Sequence, residues 1–223
     1  MASEIVIRNA VPEDYPGFRK MEEVAWQGTE VSIISENTFN TWLEVFPVGL
    51  NLALRDGEIC GHVFAQICDF DPLDKRECRN WVEMTDNGQA RSTHNALGNS
   101  LYVVSTSATH GGTGRILLRF FRELRNRLSM RFLAGACRMP GLPAFYPECT
   151  ETEIEIAMVE EYVRLVNGTI KKCRRNNDPR VFDPVLSVDL RSIRELACGV
   201  VIKNYFNDAK SYNWACIIYC ENK

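Results

Sequence analysis

The sequence predicts a mixed α/β fold in which one sheet carries helices on both of its faces. Apolar runs of strand length alternate with longer segments of helical periodicity along the whole chain. An Asp56–Gly57 turn joins two apolar runs, Leu50–Leu54 and Ile59–Ile67, which is typical of a β-hairpin. A third apolar run, Leu101–Val104, leads through a glycine-rich loop into an amphipathic helix, so a strand–loop–helix unit is expected there.

The first half of the chain is expected to form a strand, two helices and this hairpin. Ile5–Arg8 alternates as a half-buried strand does. Pro12 and the two acids after it open a helix, because proline fits the first helical turn and acids are favoured at the positive end of the helix dipole. A less regular helix is expected over Ser32–Phe46. The polar segment 69–99 is long and rich in turn signals, so we expect it to be functional or partly ordered.

The second half alternates in the same way, and Asp183 is expected to cap a short helix with Pro184 in its first turn. The basic run Lys171–Arg175 is expected to be a solvated loop. With no repeat and no linker, one domain over residues 1–223 is expected. The predicted elements are a helix Arg115–Arg127, a strand Arg131–Cys137, a helix Ile154–Asn167, a short helix Asp183–Ile193, and the strands Gly199–Tyr205 and Asn213–Tyr219.

Composition excludes several classes of protein. The 223 residues are 45% hydrophobic and 25% charged, as in an ordinary globular protein, and the net charge of −3 does not indicate a nucleic-acid surface. No signal-peptide pattern opens the chain and no apolar run reaches about 18 residues, so we expect a cytoplasmic protein without a membrane partner. The nine cysteines lack Cys-x-x-Cys spacing, which favours free thiols and no metal site.

The loop after the strand at Leu101 is a candidate phosphate site. We expect a polar turn over Ser105–Gly114, where free backbone N–H groups and the positive end of a helix dipole converge. The sequence matches neither of two common phosphate-binding motifs. The nucleotide-triphosphate loop needs a lysine where Arg115 stands, and the dinucleotide fingerprint needs a third glycine where Leu117 stands. On these residues alone two other interpretations stay open. One is a tight turn without a ligand, and the other is an enzyme that binds a nucleotide phosphate.

The spacing Thr109-His-Gly-Gly-Thr-Gly114 resembles the Arg/Gln-x-x-Gly-x-Gly/Ala loop of the GNAT superfamily of N-acetyltransferases, with Thr109 in place of Arg or Gln. The order of predicted elements also resembles the GNAT order from end to end. The resemblance therefore implies a GNAT fold, α/β with one mixed, mostly antiparallel central sheet and helices on both faces.

Longer segments resemble a subgroup of GNAT proteins that is also found fused in front of nitrilase-like hydrolase domains. One is Ala134–Gly141, which is similar to Gly-Gly-Arg-x-Pro-Gly-Tyr but has Leu142 where tyrosine is expected. The others are the polar segment Thr85–Tyr102, Glu160–Val163, Asp183–Arg191, and Asn204-Tyr205 with Asp208 before the last strand.

The resemblance implies transfer of an acetyl group from acetyl-CoA to an amine by direct attack on the thioester. The developing oxyanion would be bound by a backbone N–H near Val104 or Ser105. The acceptor would be a small molecule or a peptide, and the protein a monomer or a homodimer. The expected cofactor-binding residues are Val103, Val104, Ser105, Thr109, His110, Gly111, Gly112, Thr113, Gly114 and Arg115.

Catalysis needs a base for the amine and an acid for the departing thiolate. His94, in the polar segment, titrates in the useful range and is a candidate base, whereas His62 in mid-strand is expected to be structural. The usual acid of the family is a tyrosine on the helix after the fifth strand, and the resemblance places Asp189 there. An aspartate is a poor acid at neutral pH unless burial raises its pKa. Tyr146 is a second candidate acid.

Arg138 ends a strand on the side where open sheets place ligands, so it is a candidate for binding an acceptor carboxylate or for anchoring the adjacent loop. An alternative function of a different class also stays open. The departures from the family pattern at Thr109, Leu142 and Asp189 suit a module that binds coenzyme A for sensing or scaffolding without turnover.

Overall fold

The computed structural model describes residues 4–28, 31–77, 79–171 and 181–222, in which strands and helices alternate as expected. The strands are β1 Ile5–Asn9, β2 Leu50–Arg55, β3 Glu58–Cys68, β4 Ser100–Ala108, β5 Phe132–Arg138, β6 Ala197–Lys203 and β7 Trp214–Glu221. The helices are α1 Tyr15–Ala25, α2 Glu36–Val45, α3 Trp81–Thr85, α4 Thr113–Arg127, α5 Leu142–Phe145, α6 Ile156–Lys171 and α7 Leu186–Ser192.

The strands form one sheet of seven in the order β1-β2-β3-β4-β5-β7-β6. Among the described strands β4 and β5 are the parallel pair, and the other neighbours are antiparallel. Adjacent residues of β3 show that both faces are covered. A Cβ added at Gly61 would meet Thr113 and Leu117 of α4, whereas the ring of His62 on the other face contacts Phe18 of α1. The predicted mixed, mostly antiparallel sheet with helices on both faces is confirmed.

The loop after β4 is shorter than predicted. The expectation of a polar turn from Ser105 is wrong for Ser105–Ala108, which continue β4 and pair with β3. These polar residues remain in the strand because Ser105 and Ser107 hydrogen-bond to the buried His62. The turn itself spans 109–112, and α4 starts at Thr113 rather than at Arg115.

Three further differences lie at helix starts. Residues Pro12–Asp14 form a 3₁₀ turn and the α-helix begins at Tyr15. The second helix begins only after Ser35, whose Oγ accepts the Thr38 N–H at 3.1 Å, so 32–34 are not helical. The last helix begins at Leu186, after a turn in which Oδ1 of Asp183 accepts the Leu186 N–H at 2.8 Å.

Two further segments bear on the predictions. The polar segment 69–99 is partly ordered as α3, which Asn80 caps by accepting the Glu83 N–H at 3.0 Å. The basic run Lys171–Arg175 was predicted to be a solvated loop, but Lys171 is the last residue of α6, and 172–175 lie outside the described residues. None of the helices in the described part of the chain is long and apolar enough to cross a membrane.

Candidate active site

The parallel strands β4 and β5 pair over only part of their length. Their register runs from Ser100–Phe132 to Val103–Gly135, while β4 continues to Ala108 and β5 to Arg138. Gly135 stands where the pairing ends, and a Cβ there would come within 3.2 Å of the Val103 Cβ. The two strands therefore separate beyond a close backbone contact, and the sheet opens at their carboxyl ends.

A β-bulge in β4 lies at the same point. Phe64 and Ala65 are adjacent in β3 but pair with Ser105 and Val103, so Val104 is the extra residue on β4. The indole Nε1 of Trp81 donates a hydrogen bond to the Val104 carbonyl at 3.2 Å. The backbone at Val104 and Ser105, where an oxyanion donor is expected, thus lies at the vertex of the opening.

The glycine loop lies at the end of β4 and leads into α4. Gly112 has φ 88°, a left-handed conformation that glycine adopts without strain, and no side chain caps the helix. Gly111 and Gly114 have ordinary φ values, and a Cβ added at either would meet no heavy atom within 4 Å. The packing of the protein therefore does not require small residues at these two positions, whereas a ligand that approaches the backbone would.

Thr109 stands where the family pattern has Arg or Gln, and it is used internally. Its N–H and its hydroxyl both donate to the Cys60 carbonyl, at 3.0 and 3.2 Å, and its Oγ1 lies 3.1 Å from Nδ1 of His110. Thr109 therefore fixes the end of β4 to β3, and its contact with His110 shapes the start of the loop. Arg115, in the first turn of α4, is exposed.

A cleft opens between the separating strands on the α4 side of the sheet. Val103 and Thr106 of β4, Gly135 and Ala136 of β5 and Leu118 of α4 line it, and Asp189 of α7 contributes a carboxylate. Burial raises the pKa of Asp189 to about 6, the charge of Asp183 adds to this rise, and a hydrogen bond with the Cys137 thiol opposes it. The one acidic side chain among these lining residues thus holds a proton more tightly than an exposed aspartate.

Arg138 ends β5 beside the loop between β6 and β7. Its Nη1 lies 3.3 Å from Oδ2 of Asp208, and its guanidinium lies over the rings of Phe206, at 4.7 Å, and Trp26, at 6.0 Å. The loop-anchoring role that the sequence left open is therefore present. The half-buried guanidinium also stands at the carboxyl ends of the separated strands, so both roles expected for Arg138 fit its position.

His94 and Tyr146 both make backbone hydrogen bonds. Nδ1 of His94 accepts the Ile67 N–H at 3.2 Å, its ring lies 5.0 Å from that of Phe46, and burial lowers its pKa. Ile67 pairs with Leu101 near the start of β4, away from the glycine loop at its end. The Tyr146 hydroxyl donates to the Met158 carbonyl at 3.0 Å, and burial together with Glu161 raises its pKa.

Comparisons with known proteins identify the fold and the family. No family model matches the chain. The solved structure of the GphF GNAT-like decarboxylase in complex with isobutyryl-CoA superimposes with a TM-score of 0.68 at 20% identity, over 97% of this chain and 98% of that one, which shows a shared fold. The chain is 31% identical over 196 residues to the uncharacterized N-acetyltransferase YkwB of Bacillus subtilis (strain 168), covering 84% of this chain and 75% of that protein. The chain belongs to the GNAT family of N-acetyltransferases.

A second relative of this GNAT protein is longer. The protein named "Probable hydrolase YhcX" of Bacillus subtilis (strain 168) is 26% identical over 191 residues, which cover 84% of this chain but 33% of that protein. The chain therefore spans about a third of that relative. The predicted fold and the enzyme class, N-acetyltransferase, are confirmed by the YkwB relationship and the shared fold.

Asp183 was expected only to cap a helix, but in this GNAT chain it also joins other segments. Besides its cap bonds, the fully buried carboxylate accepts through Oδ2 from the Gly141 N–H and the Tyr162 hydroxyl, both at 2.9 Å. Gly141 and Tyr162 belong to two other segments that carried the family resemblance. Three segments far apart in sequence therefore meet at one buried charge, which no local pattern indicates.

Sequence reasoning also set His62 aside as structural and did not connect it to other residues. It is fully buried, with Nε2 at 3.2 Å from the Ser105 hydroxyl and Nδ1 at 3.0 Å from the Ser107 hydroxyl. Oε1 of the buried Glu22 lies 3.4 Å from Nδ1. The polar residues on alternate positions of β4 were the available signal, because a strand face next to a helix is otherwise apolar.

Among the described residues no group of three or more His, Cys, Asp or Glu side chains could hold a metal ion.

Proposed function

We propose that this GNAT protein transfers an acetyl group from acetyl-CoA to a primary amine, with the pyrophosphate of the donor on the loop 109–115 and the thioester at the opening between β4 and β5. The observation that carries the proposal is the pair Gly111 and Gly114, whose Cβ positions face open space. Backbone approach by a pyrophosphate accounts for glycine there, and the first turn of α4 supplies N–H groups without intrahelical partners.

The residues around the opening suit the chemistry of thioester aminolysis. The amine nitrogen forms a bond to the carbonyl carbon, the backbone N–H near Val104 or Ser105 binds the oxyanion, and the carbon–sulfur bond then breaks. Asp189, with its raised pKa, lines the cleft and is the acid that we propose protonates the departing thiolate. Arg138, with Trp26 and Phe206 beside it, would face the acceptor.

The experiment that tests this proposal measures binding and turnover separately. Titration calorimetry with coenzyme A on the wild type and on Gly114→Asp should show at least tenfold weaker binding by the variant, because a carboxylate repels the pyrophosphate. Gly168→Asp is the matched control, since Gly168 on α6 also has no atom within 4 Å of an added Cβ. Equal affinity of wild type and Gly114→Asp would contradict the cofactor assignment.

Turnover is then followed as coenzyme A release from acetyl-CoA with a panel of amines comprising amino acids, polyamines, peptides with a free N-terminus and lysine peptides. Acceptor-dependent release supports the proposed transfer. Tight binding of coenzyme A without release for any acceptor would instead favour the sensing or scaffolding module.

A second candidate function rests on the structural neighbour that is described as a decarboxylase. A GNAT fold that binds a 2-carboxyacyl-CoA could release CO₂, and the guanidinium of Arg138 would suit that carboxylate. Incubation with malonyl-CoA without any amine decides between the two activities. CO₂ release with formation of acetyl-CoA would favour decarboxylation, and intact malonyl-CoA would exclude it for this substrate.

A further inference from the structure

A buried chain of polar groups runs from α1 along the α1 face of the sheet to the vertex of the opening. It begins at Glu22, whose side chain is 1% exposed, continues through His62, which is 0% exposed, and ends at the half-buried Ser105. Ser105 directly follows the bulge at Val104, so its hydroxyl lies at the point where β4 and β5 separate. The network thus connects the protein interior with the proposed reaction site.

The contacts of Glu22 favour one tautomer of the His62 imidazole. Its Oε1 accepts hydrogen bonds from Nε1 of Trp26, at 3.2 Å, and from the Ser107 hydroxyl. The same oxygen lies 3.4 Å from Nδ1 of His62. A carboxylate that accepts from these donors favours the proton on Nδ1, so Nε2 is left as a hydrogen-bond acceptor.

The other imidazole nitrogen, Nε2, lies 3.2 Å from the Ser105 hydroxyl, from which it accepts when the proton is on Nδ1. Burial lowers the pKa of His62, and the charge of Glu22 opposes that effect. From α1 and α2 the ring is otherwise faced by Phe18 and Trp42, which do not titrate. Glu22 is thus the charged group in contact with His62 in the described part of the chain.

We propose that Ser105, His62 and Glu22 form a proton relay that takes the proton from the acceptor amine; the proposal rests on the proposed acetyl transfer. As the amine nitrogen bonds to the thioester carbon, its proton passes to the Ser105 oxygen while the Ser105 proton passes to Nε2 of His62. Glu22 stabilises the resulting imidazolium through Nδ1. The carbon–sulfur electron pair stays on sulfur, which is protonated by the acid in the cleft, and the relay then returns its proton to solvent.

In this relay Ser105 is the catalytic residue, since it touches the amine, and His62 and Glu22 act through it. A purely structural network would be a costly substitute for apolar packing, because buried charges are compensated only by close hydrogen bonding. The relay gives a reason for placing these groups between α1 and the sheet. It also assigns the base to residues that lie at the vertex of the opening.

The first test needs no acceptor and no turnover. The ¹⁵N spectrum of histidine-labelled protein gives the tautomer of His62, with its signals assigned by their loss in His62→Gln. Protonation at Nδ1 with a free Nε2 lone pair is expected. A neutral imidazole protonated at Nε2 would overturn the relay, because that nitrogen could not accept the Ser105 proton.

The second test uses acetyl-CoA and whichever amine of the panel gives the highest rate. Ser105→Ala should lower kcat at least 100-fold at neutral pH, with the affinity for coenzyme A unchanged. Ser100→Ala is the matched control, because it removes a buried hydroxyl from the far end of the same strand, where Ser100 donates to the Phe70 carbonyl. A loss below threefold in Ser105→Ala would overturn the proposal.

Glu22→Gln distinguishes the relay from a purely structural role, because only the relay predicts a shift of the pH profile. Removing the carboxylate charge lowers the pKa of His62, so the inflection of kcat/KM for the amine should shift to lower pH, and kcat should fall. A reduced rate with an unmoved inflection would assign Glu22 to structure alone.

Detection of an acetylated Ser105 by mass spectrometry would also overturn the relay, in favour of a covalent intermediate. Failure of coenzyme A to bind would instead count against the proposed function.

Discussion

The hydroxyl of Tyr162 donates a hydrogen bond to the carboxylate of Asp183 at 2.9 Å, and both side chains are fully buried. The same carboxylate oxygen accepts the Gly141 N–H, and a Cβ at Gly141 would come within 2.4 Å of the Tyr162 hydroxyl oxygen. α6, the turn after β5 and the segment before α7 are thereby held together. This junction positions Arg138 and Asp189, which lie on the elements that it joins.

Loss of this junction should cost stability. In Asp183→Asn the amide nitrogen cannot accept from Gly141 and Tyr162, so buried donors are left unpaired, and we expect the free energy of unfolding to fall by about 3 kcal/mol. Tyr162→Phe should cost about 2 kcal/mol because its partner is charged. Urea unfolding measures both.

The matched control for the junction is Tyr212→Phe, which removes a neutral hydrogen bond to the Cys149 carbonyl and should cost about 1 kcal/mol. The double variant Asp183→Asn with Tyr162→Phe should cost less than the sum of the single variants, because the two residues share a hydrogen bond. Additive losses would contradict direct coupling.

The second prediction concerns the pH dependence of stability through Asp189. Its pKa is raised in the folded protein to about 6, above the value of 3.8 for a free side chain. The protonated form therefore favours folding, and this contribution is fully present below about pH 4 and is lost as pH rises through about 6.

Asp189→Asn removes that titration. The variant should lose less stability than the wild type between pH 4 and pH 7 in denaturant unfolding, and it should turn over acetyl-CoA more slowly because an amide cannot supply a proton. Parallel curves of unfolding free energy against pH for variant and wild type would show that folding does not raise the pKa of Asp189.

His94→Gln is expected to separate the role of the half-buried His94 from that of the buried His62. Because Nδ1 of His94 accepts a backbone N–H and its ring packs beside Phe46, the substitution should lower the free energy of unfolding by about 1 kcal/mol. We expect kcat to stay within threefold of the wild type. A general base contributes about 10²–10⁴-fold, so a loss of that size would return His94 to the position of candidate base.

The fourth prediction concerns thiol reactivity. The cysteines of the described residues form no disulfide. Burial raises the pKa of Cys68 to about 12 and that of Cys137 well above the usual range, and a hydrogen bond with Cys198, together with burial, raises the pKa of Cys216 well above that range. The thiolate is the reactive species, so these cysteines should resist alkylation in the native protein.

Cys149 and Cys198 are half-buried and should react with iodoacetamide at pH 8 before those three. Peptide mapping after timed, non-reducing alkylation locates each modified cysteine, and the protein unfolded in guanidinium is the control in which all should react. Early modification of Cys68, or a disulfide between described cysteines in freshly purified protein, would contradict this prediction.

The order and type of the elements follow from local sequence alone, because hydrophobic periodicity, turn residues and caps act over a few neighbouring positions. The hairpin at Asp56–Gly57 and the strand–glycine loop–helix unit at Gly112 are of this kind. Local sequence also carried the family resemblance, since the segments at Gly141, Tyr162 and Asp183 could be compared one by one.

Where those elements end and which side chains meet depends on contacts between distant parts of the chain. Ser105 looked like loop on composition, yet it belongs to β4, because pairing with β3 and a hydrogen bond to His62 outweigh local propensity. Asp189 is a poor acid on its residue type alone, yet burial in the cleft raises its pKa. Burial and charge proximity depend on contacts between residues distant in sequence, such as Glu22 with His62, and no periodicity along the chain encodes them.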